Sequence, residues 1–240
     1  MTNCWVTCVL PTFARPIRYQ HLIEEAIESF IRQDYDNCDL IVLNDAPQQA
    51  LTCDAPGVRI VNADQRFPSV GDKFNALIAM ACGELICPWD DDDISLPNRV
   101  SQGVQCIGEY DYWTPGTFWY KPINHAPICV KPNAYCHENS IFRKTAWEKV
   151  GRYPSLSGPY DCVMQGKLRA NCREAPHVEM PPADWSYIYR WGVSPCHISA
   201  FADPEAKYLE IGEWPIDEGT FVLHPHWEQD YVKACLDALS

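Results

Sequence analysis

Apolar runs alternate with amphipathic stretches through the first ninety residues. Residues 5–10 (Trp-Val-Thr-Cys-Val-Leu) are apolar at nearly every position and read as a buried strand. Residues 19–32 then place Leu22, Ile23, Ala26, Ile27, Phe30 and Ile31 at spacings of three and four, which predicts a helix with one apolar stripe. A short strand over 40–43 follows and ends at Asn44 and Asp45. The pattern then repeats: a strand over 58–61, a helix over 74–81 with Leu77, Ile78 and Ala81 on one face, and a strand over 84–88. Strands apolar on both sides need cover on both sides, so this half predicts a mostly parallel sheet between helices.

Beyond a helix predicted over 96–107 the texture changes. Residues 113–120 and 127–131 are aromatic or proline-marked and suit a hairpin or an antiparallel edge, and 140–142 suits one more short strand. Helices are expected over 144–150, stopped by Gly151, and over 162–169; residues 185–190 read as extended. Residues 201–221 are too rich in Glu, Asp, Pro and Gly to assign, and 227–239 reads as a terminal helix with Tyr231, Cys235, Leu236 and Leu239 inward. His224 and His226 fall on the approach to it.

A chain of 240 residues that is 47% hydrophobic supports one sizeable core, so a single domain is expected. The net charge of −13 argues against broad capture of nucleic acid or an anionic membrane surface. The start lacks the basic region and cleavage pattern of a signal peptide, and no apolar stretch is long enough to cross a bilayer, so a soluble cytoplasmic protein is expected. Thirteen cysteines in a chain of this length read as reduced, mostly buried thiols rather than a disulfide framework.

The sharpest local feature is the run Asp90, Asp91, Asp92, Asp93, placed where an apolar strand ends. Clustered carboxylates repel one another and raise each other's pKa unless a cation or ligand neutralises them. Ligands of open parallel sheets bind outside the carboxyl ends of the strands. Three acidic or amide-bearing sites fall at such ends: Asn44 with Asp45, Asn62 with Asp64, and the aspartate run. If the strand direction continues, Asp90 and Asp92 share a side and offer oxygen donors to one hard cation. A plainer reading is a solvated turn leading into a helix, with Asp93 or Ser95 as its cap and Pro97 in its first turn.

Three blocks of sequence carry a resemblance. The first is Leu10, Pro11, Thr12, Phe13, Ala14, Arg15, Pro16 with Leu22, Ala26, Ser29, Gln33 and residues 39–45; the second is residues 71–76 with 89–99. The third is residues 139–144 with Trp147 and 150–153. In this order they resemble the family 2 glycosyltransferases, which have the nucleotide-diphosphosugar-binding A-type (GT-A) fold. The resemblance implies a single Rossmann-like α/β domain: a mostly parallel central sheet, helices on both faces and a small antiparallel subsheet on the acceptor side. It implies a donor half over about 1–110, an acceptor and catalytic half over about 111–200, and a C-terminal extension over about 201–240.

Carried over by position, Thr12 and Arg15 lie in the loop receiving the nucleotide, Asp45 contacts base or ribose, and Asp64 supports the base. Lys73 and Asn75 match a segment beside the nucleotide, and Asp90 and Asp92 are the acids of a DxD motif. Asp92 would ligate Mn²⁺ or Mg²⁺ on the diphosphate, with His197 as a further ligand and Arg190 on phosphate. Asp161 falls where the family places the base that deprotonates the acceptor hydroxyl, although the usual Glu-Asp pair is Tyr160-Asp161 here. A helix cap is the competing reading of Asp161, and loop packing that of His197.

The reaction so implied is metal-dependent inverting transfer of a sugar from a nucleoside-diphosphate sugar, most often a UDP-sugar in this family, to a hydroxyl acceptor. A nucleic-acid acceptor would need a local basic face. A sugar-phosphate nucleotidyltransferase would want a glycine-rich phosphate loop, and residues 11–16 contain no glycine. A binding protein of the same fold without turnover is the other alternative, with Tyr160 its only sequence support. Cys129, Cys136, His137, Cys196 and His197 lack paired zinc-ligand spacing, and Trp113, Phe118, Trp119 and Tyr120 suit either a sugar platform or core packing.

Overall fold

The computed structural model describes residues 4–130, 137–193 and 216–240. The chain opens with β1 (Val6–Thr12), α1 (Gln20–Ile31), β2 (Cys38–Asn44), β3 (Gln49–Thr52), β4 (Val58–Asn62), α2 (Val70–Met80) and β5 (Leu85–Pro88). It continues through β6 (Ile94–Ser95), α3 (Arg99–Ile107), β7 (Tyr112–Trp113), β8 (Phe118–Pro122) and β9 (Ile128–Val130). Then come β10 (Ile141–Arg143), α4 (Lys144–Lys149), α5 (Tyr160–Asn171), β11 (Tyr187–Trp191), β12 (Gly219–Val222) and α6 (Tyr231–Asp237).

The main sheet has the order β4-β2-β1-β5-β10-β7, with β4, β2, β1 and β5 parallel and β10 antiparallel to both its neighbours. Side-chain alternation divides its core in two. Val6, Cys8, Leu10, Leu40, Val42, Leu85 and Cys87 pack on Ile23, Ala26, Ile27 and Phe30 of α1 and on Val100 and Ile107 of α3. From the other face, Val9, Ile41, Leu43, Ile86 and Phe142 pack on α2, α4 and α5 through Phe74, Leu77, Trp147, Met164 and Leu168. This is an α/β fold with a mostly parallel central sheet flanked by helices.

Several expectations are corrected. The helix expected from residue 74 begins at Val70, because Ser69 accepts a hydrogen bond from the Asp72 N–H at 3.1 Å and so caps the chain four residues earlier. The helix expected from residue 96 begins at Arg99, since Ile94 and Ser95 pair with β11. The aromatic stretch 113–120 splits at Pro115 and Gly116 into two strands of different sheets. The subsheet, in the order β6-β11-β8-β9, is mixed rather than antiparallel, because β11 and β8 run parallel. The described cysteines are all free thiols, as expected, but only Cys8, Cys87 and Cys235 are buried.

One buried ion pair joins these layers. Glu25 of α1 meets the Nη1 of Arg190 on β11, with both side chains almost fully enclosed. The Tyr231 hydroxyl of α6 donates to Glu25 Oε1 at 2.6 Å, and Arg190 Nε donates to the Asp92 carbonyl. Removing one partner strands the other charge in a low-dielectric site. Glu25→Ala is therefore expected to lower unfolding stability by about 3–5 kcal/mol in urea titrations; a loss below about 1 kcal/mol would show that the pair does not tie the elements together.

Candidate active site

A cavity of about 700 Å³ opens at the carboxyl ends of β1, β2 and β5. Strand β1 delivers Thr12 and the following Phe13 and Arg15, β2 delivers Asp45, and the chain after β5 delivers Asp90 to Asp93. The first turn of α2 contributes Lys73, the turn before β10 contributes Glu138, and the start of α5 contributes Asp161.

The strand stops at Pro88, so the expected alternation of the aspartates does not apply. All four line the cavity, each with its own partners. Asp91 takes hydrogen bonds from Thr12 Oγ1 at 2.6 Å and from Arg15 Nε at 3.0 Å, and its other oxygen meets Arg15 Nη2 at 2.5 Å. The same Nη2 reaches Asp92 Oδ2 at 2.9 Å. Asp93 accepts from the Arg190 backbone N–H at 2.6 Å and from the Tyr187 hydroxyl, so it braces β11 instead of capping a helix. Asp90 has the Tyr187 hydroxyl at 3.3 Å. Burial, followed by the charges of Glu138 and the other aspartates, holds Asp90 well above the usual carboxylate range.

On the opposite flank of the aspartates along the sheet, Lys73 Nζ sits 2.5 Å from Asp45 Oδ1 and donates to the Thr12 carbonyl at 2.8 Å. Burial pulls the Lys73 pKa down, with Asp45 opposing it. The Phe13 ring lies 3.9 Å from the guanidinium carbon of Arg66, and Lys73 Nζ is 5.8 Å from the same ring. The wall formed by Phe13, Arg15, Arg66 and Lys73 thus combines an aromatic face with three cations.

Of the residues singled out from the sequence, Thr12, Arg15, Asp45, Lys73, Asp90, Asp92 and Asp161 meet in this cavity. Three others do not line it. Asp64 is exposed on the loop after β4. Asn75 donates to the Tyr153 carbonyl and accepts from Trp147 Nε1 and the Tyr153 N–H, each at 3.0 Å, which occupies its amide with bracing the turn ahead of α5. Arg190 lies behind the aspartates, where its Nη1 meets Glu25 and its Nε the Asp92 carbonyl, away from the cavity expected to hold phosphate. His197, Cys136 and Cys196 lie outside the described residues.

Sequence reasoning missed Arg66, which lines the cavity, and it also missed Glu138. The only signal of Glu138 was adjacency to the block beginning at Asn139. Burial, then the charge of Asp161, pushes its pKa up to about 8.

The donor chemistry suits a hard divalent cation. Carboxylate oxygens crowd one wall, where Asp90 lies among Glu138 and the other aspartates. Among the described residues no three His, Cys, Asp or Glu side chains are already gathered as a ligand set. Asp92 shares Arg15 with Asp91, so its carboxylate is the one that a cation would draw from an existing ion pair.

With this geometry in place, the comparisons with known proteins are specific. Residues 7–149 match the glycosyl transferase family 2 profile, and the chain belongs to that family. An uncharacterized glycosyltransferase of Haemophilus influenzae is 22% identical, over 71% of this chain and 68% of that protein. Among solved structures, S. aureus TarS residues 1–349 in complex with UDP-GlcNAc share the fold at a TM-score of 0.59 and 15% identity, over 78% of this chain and 58% of that one. The mannosyltransferase PcManGT of Pyrobaculum calidifontis, in complex with GDP-Man and Mn²⁺, gives a TM-score of 0.54 at 16% identity, over 78% of this chain and 56% of that one.

Asp91 anchors both Thr12 and Arg15, so truncating it removes charge-assisted bonds and leaves buried donors unpaired. Asp91→Ala is expected to cost about 1–3 kcal/mol of stability in denaturant titrations. A change within about 0.5 kcal/mol would mean that the clamp contributes nothing.

Proposed function

We propose that this chain is a metal-dependent inverting glycosyltransferase that moves a sugar from a nucleoside-diphosphate sugar to a hydroxyl group of an acceptor. The observation that carries the reading is the convergence, in one cavity at the ends of parallel strands, of a cation-bearing aromatic wall, the aspartate run and a separate carboxylate from α5. The family assignment supports it, and the complexes of fold relatives with UDP-GlcNAc and with GDP-Man and Mn²⁺ are consistent with it.

In this reading Phe13, Arg66 and Asp45 receive the base and ribose, and Lys73 stabilises Asp45 for that contact. Arg15 shares its guanidinium between the aspartates and the diphosphate. Asp92 holds Mn²⁺ or Mg²⁺, which when bound supplies positive charge that stabilises the departing diphosphate. Asp161 takes the proton of the acceptor hydroxyl as that oxygen bonds to sugar C1. The bond from C1 to the phosphate oxygen breaks, and its electron pair leaves with the nucleoside diphosphate. A single base with no covalent sugar intermediate inverts the configuration at C1.

Among the described residues no helix is long and apolar enough to cross a membrane. The free thiols suit a reducing, cytoplasmic setting.

Thermal denaturation with UDP, GDP or dTDP, each with and without Mn²⁺, is expected to show a metal-dependent rise in Tm for at least one nucleotide. No such rise with any of them would overturn the donor site. Asp161→Asn is expected to keep that rise while lowering transfer by about 10²–10⁴-fold; full activity in the variant would assign the base elsewhere.

A further inference from the structure

Strand alternation sorts the aromatic residues of the subsheet onto two faces. Trp119 of β8 and Ile188 of β11 are neighbours in register, and both pack with Trp185, Tyr231 and Cys235 in the core beneath α6. Lys121 and Arg190, the next register pair on that face, follow them. Trp113 is buried in the core of the main sheet. Two of the four aromatic residues that suited either a sugar platform or core packing are therefore core.

The opposite face carries the rest. Tyr187, Tyr189 and Trp191 alternate along β11, Phe118 and Tyr120 lie on the same face of β8, and Ile128 of β9, opposite Tyr120, extends the row to the sheet edge. Phe118, Tyr120, Tyr189 and Trp191 are each half-buried. Tyr189 is their hub: its ring centroid lies 6.2 Å from that of Tyr120 in a stacked pair, and 6.1 Å from those of Phe118 and Trp191.

This row is continuous with the cavity. Tyr189 lines the cavity, and at the inner end of the row the Tyr187 hydroxyl bonds to Asp93 and reaches Asp90 at 3.3 Å. From Tyr187 to Trp191 the strand advances about 13 Å. That is longer than a single sugar ring.

The chemistry of the two ends defines the occupant. A pyranose carries C–H groups on its faces and hydroxyl groups around its rim, so the faces suit half-buried aromatic rings and the rim suits hydrogen-bond acceptors. Carboxyl groups of Asp90, Glu138 and Asp161 supply such acceptors in the cavity that Tyr189 lines. An acyl chain brings no donor to those acids. An anionic polymer brings like charge to them, in a chain whose net charge is already −13.

We infer that the row is the acceptor platform, and that the acceptor is a neutral glycan of more than one sugar. Its terminal sugar presents a hydroxyl to Asp161 in the cavity, and the sugars behind it stack along Tyr189, Tyr120 and Trp191. This rests on the transfer reaction given under Proposed function and adds the acceptor class to it.

The test is titration calorimetry on the full chain with Mn²⁺ and UDP or GDP, using maltotetraose, cellotetraose and chitotetraose against glucose and N-acetylglucosamine. At least one tetrasaccharide is expected to bind about 10-fold or more tightly than its own monosaccharide. Trp191→Ala and Tyr120→Ala are each expected to weaken that binding by about 3–10-fold, and Trp191→Phe and Tyr120→Phe, which keep a ring, to recover most of it. Lys121→Ala, on the other face of β8, is expected to bind as the wild type does. Tryptophan emission supplies a second reading that needs no loss of binding: the change produced by the tetrasaccharide is expected to shrink in Trp191→Phe.

Failure of all three chains to bind, equal affinity for chain and monosaccharide, or wild-type affinity in both alanine variants overturns the inference. So does binding of tetragalacturonate, an anionic chain of the same length, as tightly as the neutral ones. A nucleotide-dependent rise in Tm without saccharide binding would sink this inference and leave the donor site standing. Saccharide binding without that rise would leave the platform standing and overturn the donor site.

Discussion

Four carboxylates in sequence must be kept from repelling one another at the mouth of a sheet, and the arrangement around the cavity follows from how that is done. Asp91 and Asp92 share the guanidinium of Arg15, which reaches back from the end of β1. Asp93 is held by the backbone N–H of Arg190 and the hydroxyl of Tyr187, both on β11. The run therefore fastens the main sheet to the subsheet through side chains almost a hundred residues distant. Asp90 has the Tyr187 hydroxyl, and burial, followed by the charges of Glu138 and the other aspartates, raises its pKa. Charge that would destabilise a solvated turn here fixes the position of three elements around one cavity.

The buried pair of Glu25 and Arg190 extends the same logic. Arg190 serves β11 through its backbone, the aspartate loop through Nε, and α1 through Glu25. Glu25 is also bound by the Tyr231 hydroxyl, and its backbone N–H-bearing helix receives Trp227 at the Glu25 carbonyl, so α6 closes over the same point. An ion pair so enclosed gives little net stability over an apolar packing of equal volume. Its value lies in direction, because α1, β11 and α6 must all be in place for Glu25 to take the hydrogen bonds of Arg190 and Tyr231.

The amino-terminal half of the fold was legible because its signals are local. The periodicities of β1, α1, β2, α2 and β5 lie within single stretches, and the residues at strand ends meet by the topology of a parallel sheet. What escaped was non-local. Strand β3 pairs with β12, about 170 residues further on, so nothing near Gln49–Thr52 announced it. Arg190 looked like a phosphate ligand because its charge was visible and Glu25, which consumes that charge, stood in a helix as an ordinary acid. Asn75 was visible as an amide, but not as the brace of Tyr153 and Trp147. Glu138 gave no pattern of its own, since the turn before β10 brings it into a cavity whose other walls come from distant parts of the chain.

The two sides of the cavity are left in opposite electrostatic conditions. One side holds Arg15, Lys73 and Arg66 around Phe13, each cation near an acid or a ring. The other holds the carboxyl groups of Asp90, Glu138 and Asp161. A diphosphate entering the second side would meet like charge at low dielectric, whereas on the first it can share the guanidinium that already bridges Asp91 and Asp92. A neutral hydroxyl has the reverse preference: it gains little from fixed cations and is a good hydrogen-bond donor to a carboxylate. Under the proposed function, charge distribution separates the place for the donor from the place for the acceptor, in a chain whose net charge of −13 would otherwise repel a nucleotide from most of its surface.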